Sequence, residues 1–125
     1  MRIADTSFLV EAILRNAQLL ADEALVTPDL TLYETANALW RHETLISDLK
    51  DGSRYLDLLE DLMEAGTITV IRPDRALIKD AYDLSIRYRV PVYDMIFVAL
   101  SLRLEMELRT FDKDQMNVYN SEKRI

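Results

Sequence analysis

The sequence is poor in the residues that interrupt a chain or carry much of enzyme chemistry. It contains no cysteine, one histidine (His42), two glycines and three prolines. The absence of cysteine excludes disulfides, thiol catalysis and thiolate metal sites. A single histidine argues against a histidine-rich zinc site and against a Ser-His-Asp triad. The few glycines indicate short turns and mostly helical content.

Long hydrophobic runs are also missing. No apolar stretch approaches the ~20 residues that a membrane-spanning helix needs. Charged residues at Arg2 and Asp5 come too early for a secretory signal peptide. Half of the residues are nevertheless hydrophobic, which is typical of a packed globule. We therefore expect a single cytoplasmic domain over residues 1–125, without a membrane segment.

Basic residues are also outnumbered by acidic ones, which gives a formal net charge of −7. Nonspecific binding of nucleic acid favours a basic surface, so this balance does not fit easily with such a substrate. Bound divalent cations would offset part of the excess. The basic residues cluster near Arg72, Arg87 and Arg109, where solvated helix faces with surface ion pairs are a sufficient explanation.

Strand-like and helix-like segments alternate along the chain. The β-branched run at residues 67–71 is the strongest strand signal, and Gly66 ends the helix before it. Strands are predicted at residues 2–4, 24–26, 67–71, 107–109 and 117–119. Helices are predicted at residues 7–20, 28–42 with Thr27 as cap, 48–65 starting from Asp48 or Asp51, 74–88 and 92–105. This order predicts an α/β fold with a short, mostly parallel central sheet and helices on both faces.

Four acidic residues are placed where this fold can bring them together: Asp5, Glu34, Asp94 and Asp112 (the acidic quartet). Asp5 and Asp112 each follow a predicted strand, and ligands bind outside the carboxyl ends of parallel strands. Asp94 lies in a first helical turn, where the helix dipole favours a carboxylate. A site whose ligands are all oxygen atoms indicates Mg²⁺ or Mn²⁺. Taken singly, Asp5 could be only a helix cap and Asp112 only a turn residue.

Four stretches of the chain resemble the motifs of PIN-domain ribonucleases. The first contains Asp5-Thr6-Ser7 after a strand, and the second has Glu34 followed three positions later by Asn37. The stretches are residues 1–10, 32–39, 92–100 and 108–112, in that order. One departure is the segment before the last motif, residues 104–107, where many relatives have a glycine-containing turn.

The resemblance implies a PIN-like three-layer fold and a Mg²⁺- or Mn²⁺-dependent endoribonuclease. It most often implies the VapC-type toxin of a prokaryotic toxin–antitoxin pair, a homodimer inhibited by a small antitoxin protein. The acidic quartet would then form the site, with Ser7 and Thr110 as polar neighbours. The RNA phosphodiester would be hydrolysed to leave a 5′-phosphate and a 3′-hydroxyl.

Within that expectation the quartet divides into two roles. Asp5, Asp94 and Asp112 are expected to bind metal, directly or through water. Glu34, with its longer side chain, is expected to complete the shell or to orient the attacking water. Asn37, one turn further along, could hold the Glu34 carboxylate by a hydrogen bond.

Two other readings of the sequence stay open. A catalytically idle PIN-like module that binds a protein would also have this fold, although it has no chemical need for four acids. Another Mg²⁺-dependent phosphoryl-transfer domain is disfavoured, since Ser7 stands where a phosphatase of the haloacid dehalogenase kind has a second aspartate. Trp40 is expected in core or dimer packing rather than stacked on a base, and His42 near a helix end.

Overall fold

The computed structural model describes residues 1–21 and 23–124. Within them the chain forms four strands and six α-helices, and no helix is long and apolar enough to cross a membrane. The strands are β1 (Arg2–Ala4), β2 (Leu25–Pro28), β3 (Ile68–Ile71) and β4 (Leu108–Arg109). The helices are α1 (Thr6–Leu14), α2 (Leu30–Arg41), α3 (Ser53–Glu64), α4 (Arg75–Tyr88), α5 (Val92–Leu104) and α6 (Lys113–Lys123).

The strands form one sheet in the order β3-β2-β1-β4, and every pairing is parallel. Adjacent residues point to opposite faces of a strand, so Ile3 and Ala4 enter different hydrophobic clusters. Ile3 packs with residues of α4, α5 and α6, whereas Ala4 packs with residues of α1 and α3. The predicted three-layer α/β architecture is confirmed, with a sheet that is wholly parallel.

Aspartates define where three helices begin. Asp5, Asp74 and Asp112 each accept a hydrogen bond from the backbone N–H three residues later, at the starts of α1, α4 and α6. Two of these caps also belong to the acidic quartet. Capping therefore fixes the backbone beside the site as well as the ends of the helices.

Three sequence predictions about these elements were wrong. The helix expected over residues 7–20 ends at Leu14, and a separate 3₁₀ turn covers Ala17–Leu20. Thr27 does not cap α2; it lies within β2, where its Oγ1 donates to the Ala4 carbonyl at 2.7 Å. The short apolar run before it continues through Pro28 because β2 pairs with β3 as far as Ile71.

The third error concerns residues 117–119, which belong to α6 instead of an edge strand. Gln115, Val118 and Tyr119 are buried at helical spacing, and two of them join the cluster formed with α5. The Asp112 cap and this packing together favour the helix over the local β-propensity of Val118 and Tyr119. Nearby, Glu105 takes the left-handed conformation (φ 53°) that glycine favours, in the segment where glycine was noted to be absent.

Candidate active site

The acidic quartet borders one cavity of about 840 Å³ at the carboxyl ends of the strands. Asp5 directly follows β1, and Asp112 follows β4 after a two-residue connection. Asp94 lies in the first turn of α5, and Glu34 lies in the second turn of α2. The topology thus brings together all four carboxylates that the sequence singled out.

Asp5 is the most enclosed member, with 2% of its surface exposed. Its carboxylate accepts hydrogen bonds from Phe8 N at 2.9 Å, from Ser7 Oγ at 2.8 and 2.9 Å, and from Thr110 Oγ1 at 2.7 Å. Burial raises the pKa of Asp5, as does the nearby charge of Asp112, while the three donors lower it. The carboxylate is therefore held rigidly by neutral donors.

Ser7 and Thr110 hold the loop after β4 as well as Asp5. Thr110 Oγ1 accepts from Asp112 N at 2.9 Å, and Ser7 Oγ accepts from Phe111 N at 3.0 Å. These bonds tie the start of α6 to the start of α1. Both residues lie beside the quartet, where the sequence placed them.

Glu34 is held by a residue that sequence reasoning did not select. Thr6 Oγ1 donates to Glu34 Oε1 at 2.6 Å, from the first turn of α1. Burial raises the pKa of Glu34, the Thr6 bond lowers it, and the charge of Asp5 raises it. Asn37 borders the cavity but is exposed, and no bond between Asn37 and Glu34 occurs among the described side chains. The expected contact was wrong, because Glu34 is directed to the neighbouring helix.

Asp94 has the largest shift of the quartet. Burial, followed by the charges of Asp112, Glu34 and Asp5, raises the pKa of Asp94 to about 6, while a hydrogen bond from the Gln115 side chain lowers it. Asp112 Oδ1 accepts from Gln115 N at 2.9 Å. All three other acids thus act electrostatically on Asp94, which shows that the quartet is one charge cluster.

The carboxylate oxygens of the quartet are suitable ligands for a hard divalent cation, but their spacing limits how many of them can bind one ion directly. Within residues 1–21 and 23–124, no lysine or arginine forms an ion pair with a quartet carboxylate. In the same residues, no three acidic or histidine side chains are gathered closely enough to hold one ion together. Mg²⁺ keeps several waters and often uses only one or two carboxylates. The arrangement suits a largely hydrated ion, with carboxylates that also act through water.

Several cavity residues were missed from the sequence as members of the site. The cavity also borders Thr6, Arg15, Tyr33, Arg41, Phe111 and Gln115. Helical spacing could have found one of them, because Glu34, Ala38 and Arg41 recur at intervals of four and three along one face of α2. Phe111 was named only as part of the motif, yet its ring stacks on Phe8 with centroids 5.9 Å apart.

The two residues left open at the end of α2 have different surroundings. Trp40 is 53% exposed, so it does not pack in the core. Packing at a dimer interface, the other part of the expectation, stays a prediction. His42 borders the cavity, and its Nδ1 lies 2.9 Å from Asp48 Oδ1. Its position at the end of α2 agrees with the sequence prediction.

Comparison with known proteins places this geometry in a family. The PIN domain model matches residues 2–120, almost the whole chain. Ribonuclease VapC3 from Pyrobaculum aerophilum is 33% identical over 91 residues, which are 73% of this chain and 68% of that protein.

Solved structures show the same fold at lower identity. PAE2754 from Pyrobaculum aerophilum superposes with a TM-score of 0.76 at 19% identity, over 94% of this chain and 83% of that one. VapC20 from Mycobacterium tuberculosis, described as a Sarcin-Ricin loop cleaving toxin, gives 0.73 at 18% identity, over 94% of each chain. A toxin–antitoxin complex from Klebsiella pneumoniae gives 0.66 at 15% identity, over 91% of this chain and 89% of its match. The family resemblance read from the four motifs is confirmed: the chain belongs to the PIN domain family.

Proposed function

We propose that this protein is a divalent-metal-dependent endoribonuclease and the toxin of a type II toxin–antitoxin pair. The observation that carries the proposal is the acidic quartet, four carboxylates from four separate elements on one cavity without a described cationic partner. Such an arrangement is unfavourable unless a cation joins it. The similarity to Ribonuclease VapC3 supports RNA as the substrate.

In this proposal Asp5, Asp94 and Asp112 would hold Mg²⁺ or Mn²⁺, directly or through water. The bound ion supplies charge neutralisation at the phosphate and lowers the pKa of a water. Glu34 would orient the attacking water, and its bond from Thr6 limits where the carboxylate can point. Ser7 and Thr110 keep Asp5 in place through its two oxygens.

The cavity walls provide contacts suited to RNA despite the net charge of −7. Arg15 and Arg41 border the cavity and can contact phosphates. Tyr33 and Phe111 are 69% and 59% exposed at its edge, where bases can stack on them. Attraction of the substrate would then depend on a local basic and aromatic rim instead of on the net charge.

The proposed partners are a small antitoxin and a second copy of the chain. The structural similarity to a toxin–antitoxin complex from Klebsiella pneumoniae supports the antitoxin. The homodimer is implied by the family resemblance alone, and the single domain over residues 1–125 and the cytoplasmic location follow from the sequence. All three stay predictions.

The test is cleavage of defined structured and single-stranded RNAs by the purified protein with Mg²⁺, with Mn²⁺ or with EDTA. We expect cuts only with metal, ending in 5′-phosphate and 3′-hydroxyl groups, and none from the Asp94→Asn variant. The Asp74→Asn variant is the matched control, because Asp74 also lies at the start of a helix but pairs with Arg103 away from the cavity. A folded wild type that binds metal but cuts nothing across the RNA set would favour the idle binding module.

A further inference from the structure

Gln115 contacts two members of the acidic quartet. Its backbone N–H donates to Asp112 Oδ1 at 2.9 Å, and its side chain lies near enough to the Asp94 carboxyl to lower the pKa of that group. An ionised carboxylate only accepts hydrogen bonds, so the amide nitrogen is the end of the Gln115 side chain that faces Asp94. One residue of α6 thus connects the acid of α5 with the acid that caps α6.

The remaining polar atom of this side chain has no partner. Gln115 is 2% exposed and borders the cavity, yet its Oε1 accepts no hydrogen bond from the described residues. A buried carbonyl without a donor is costly, and native structures rarely retain one without a reason. The same holds for Thr35 Oγ1, which is fully buried in α2 and is not among the residues that border the cavity.

We propose that Gln115 is a positioning residue of the metal site, with its amide N–H on Asp94 and its carbonyl oxygen on the hydration shell of the divalent cation. This inference rests on the proposed function. Water in that shell donates hydrogen bonds and can satisfy the free oxygen, and Mg²⁺ keeps such waters when it binds to proteins. Partners of this kind outside the ligand shell typically change metal affinity by about 10–100-fold.

The test measures metal binding without RNA. Mn²⁺ is titrated calorimetrically into the wild type, Gln115→Met and Gln115→Asn, and the Tm of each protein is recorded with and without Mn²⁺. Methionine fills a similar volume without polar groups, whereas asparagine keeps the amide but withdraws it by one carbon. Thr35→Val is the matched control, since it removes the other unpartnered atom without reaching the cavity.

We expect the Kd for Mn²⁺ to rise about tenfold in both Gln115 variants. At a Mn²⁺ concentration about one hundred times the wild-type Kd, roughly half of the Mn²⁺-induced rise in Tm should then be lost. The metal-free Tm of Gln115→Met should equal or exceed that of the wild type, because an unpaired buried oxygen is removed. Thr35→Val should bind Mn²⁺ like the wild type. If Gln115→Met does not fold, Gln115→Asn decides the question.

Two results would overturn the inference while leaving the nuclease proposal intact. One is a Kd for Mn²⁺ within twofold of the wild type in a folded Gln115 variant. The other is unchanged Mn²⁺ binding with only the KM for RNA raised, which would assign the oxygen to a hydroxyl of the substrate. A wild type that neither binds Mn²⁺ nor cuts RNA with metal would overturn both proposals.

Discussion

Two groups of acidic residues in this molecule have different partners. At the start of the sheet, Glu23 lies between Arg2 and Arg109, with N–O distances of 2.6 and 3.1 Å. At the cavity, the carboxylates of Asp5, Glu34 and Asp112 accept hydrogen bonds from hydroxyl and backbone groups, which are neutral. Glu23 belongs to an ion-pair network with Arg2 and Arg109. The quartet carboxylates instead lie near one another without a described cationic partner.

The pKa shifts follow the same division. The backbone N–H of Leu77 at the start of α4, followed by Arg103, lowers the pKa of Asp74 on the outside of the molecule. Burial and mutual repulsion raise the pKa of Asp5, Glu34 and Asp94. Glu23 and Asp74 are thus paired with arginines of the chain, whereas no lysine or arginine in the described residues pairs with a quartet carboxylate.

Removing a quartet carboxylate should have the largest effect. We expect Asp5→Asn and Glu34→Gln each to lower the rate of RNA cleavage by more than about 100-fold, since even partners outside the ligand shell are worth 10–100-fold. Glu23→Gln should cleave at the wild-type rate, because Glu23 belongs to the other set of acids. Single-turnover cleavage with excess enzyme measures the rate of each variant. Wild-type cleavage rates in the quartet variants would contradict the proposed difference between the quartet and the acids that pair with arginine.

Divalent cations should stabilise the folded protein through the quartet. At a Mg²⁺ concentration one hundred times its Kd, linkage gives about 2.7 kcal/mol. For a domain of this size that corresponds to a rise in Tm of about 10 °C. Thermal unfolding followed by circular dichroism with Mg²⁺ or EDTA measures the difference. The rise should disappear in Asp94→Asn and persist in Asp74→Asn.

Neutralising one acid from each set should change stability in opposite directions in metal-free protein. Glu23→Gln removes the more buried of the two carboxylates that Arg2 and Arg109 share, leaving them only Glu107, and should cost roughly 1–2 kcal/mol of the free energy of unfolding. Asp94→Asn removes a like-charge repulsion and should gain roughly 0.5–1 kcal/mol. Urea unfolding in EDTA compares the two variants with the wild type. The same sign for both would show that the quartet is not electrostatically strained.

The pH dependence of stability and the pH dependence of metal affinity should have opposite signs. The pKa of Asp94 is about 6 in the folded protein and near the ordinary 3.8 when unfolded. The folded state therefore binds more protons between these values, and this contribution to stability is lost as pH rises from about 4 to about 6. Metal affinity should rise over the same window as the carboxylate ionises. Unfolding and Mn²⁺ titrations from pH 4 to 7.5 test both slopes, with Asp94→Asn flattening them.

Local signals in the chain were sufficient for much of the fold. The β-branched run before Ile71, the apolar length of α5 and the alternation of elements predict a parallel sheet covered on both faces. Those signals also place Asp5 and Asp112 at the carboxyl edge, because each follows a strand. They fail at residues 117–119, which are helical despite their β-propensity because the Asp112 cap and packing against α5 stabilise the helix.

The sequence by itself determined most of the elements, their order and the choice of the four acids as candidates, since these depend on short-range patterns and on recognisable motifs. The tertiary structure alone decided that Thr6 and not Asn37 holds Glu34, and that the Gln115 side chain lies near Asp94 of a different helix. These contacts join side chains from different elements. Their distances depend on how the helices pack across the sheet, and no spacing along the chain encodes that.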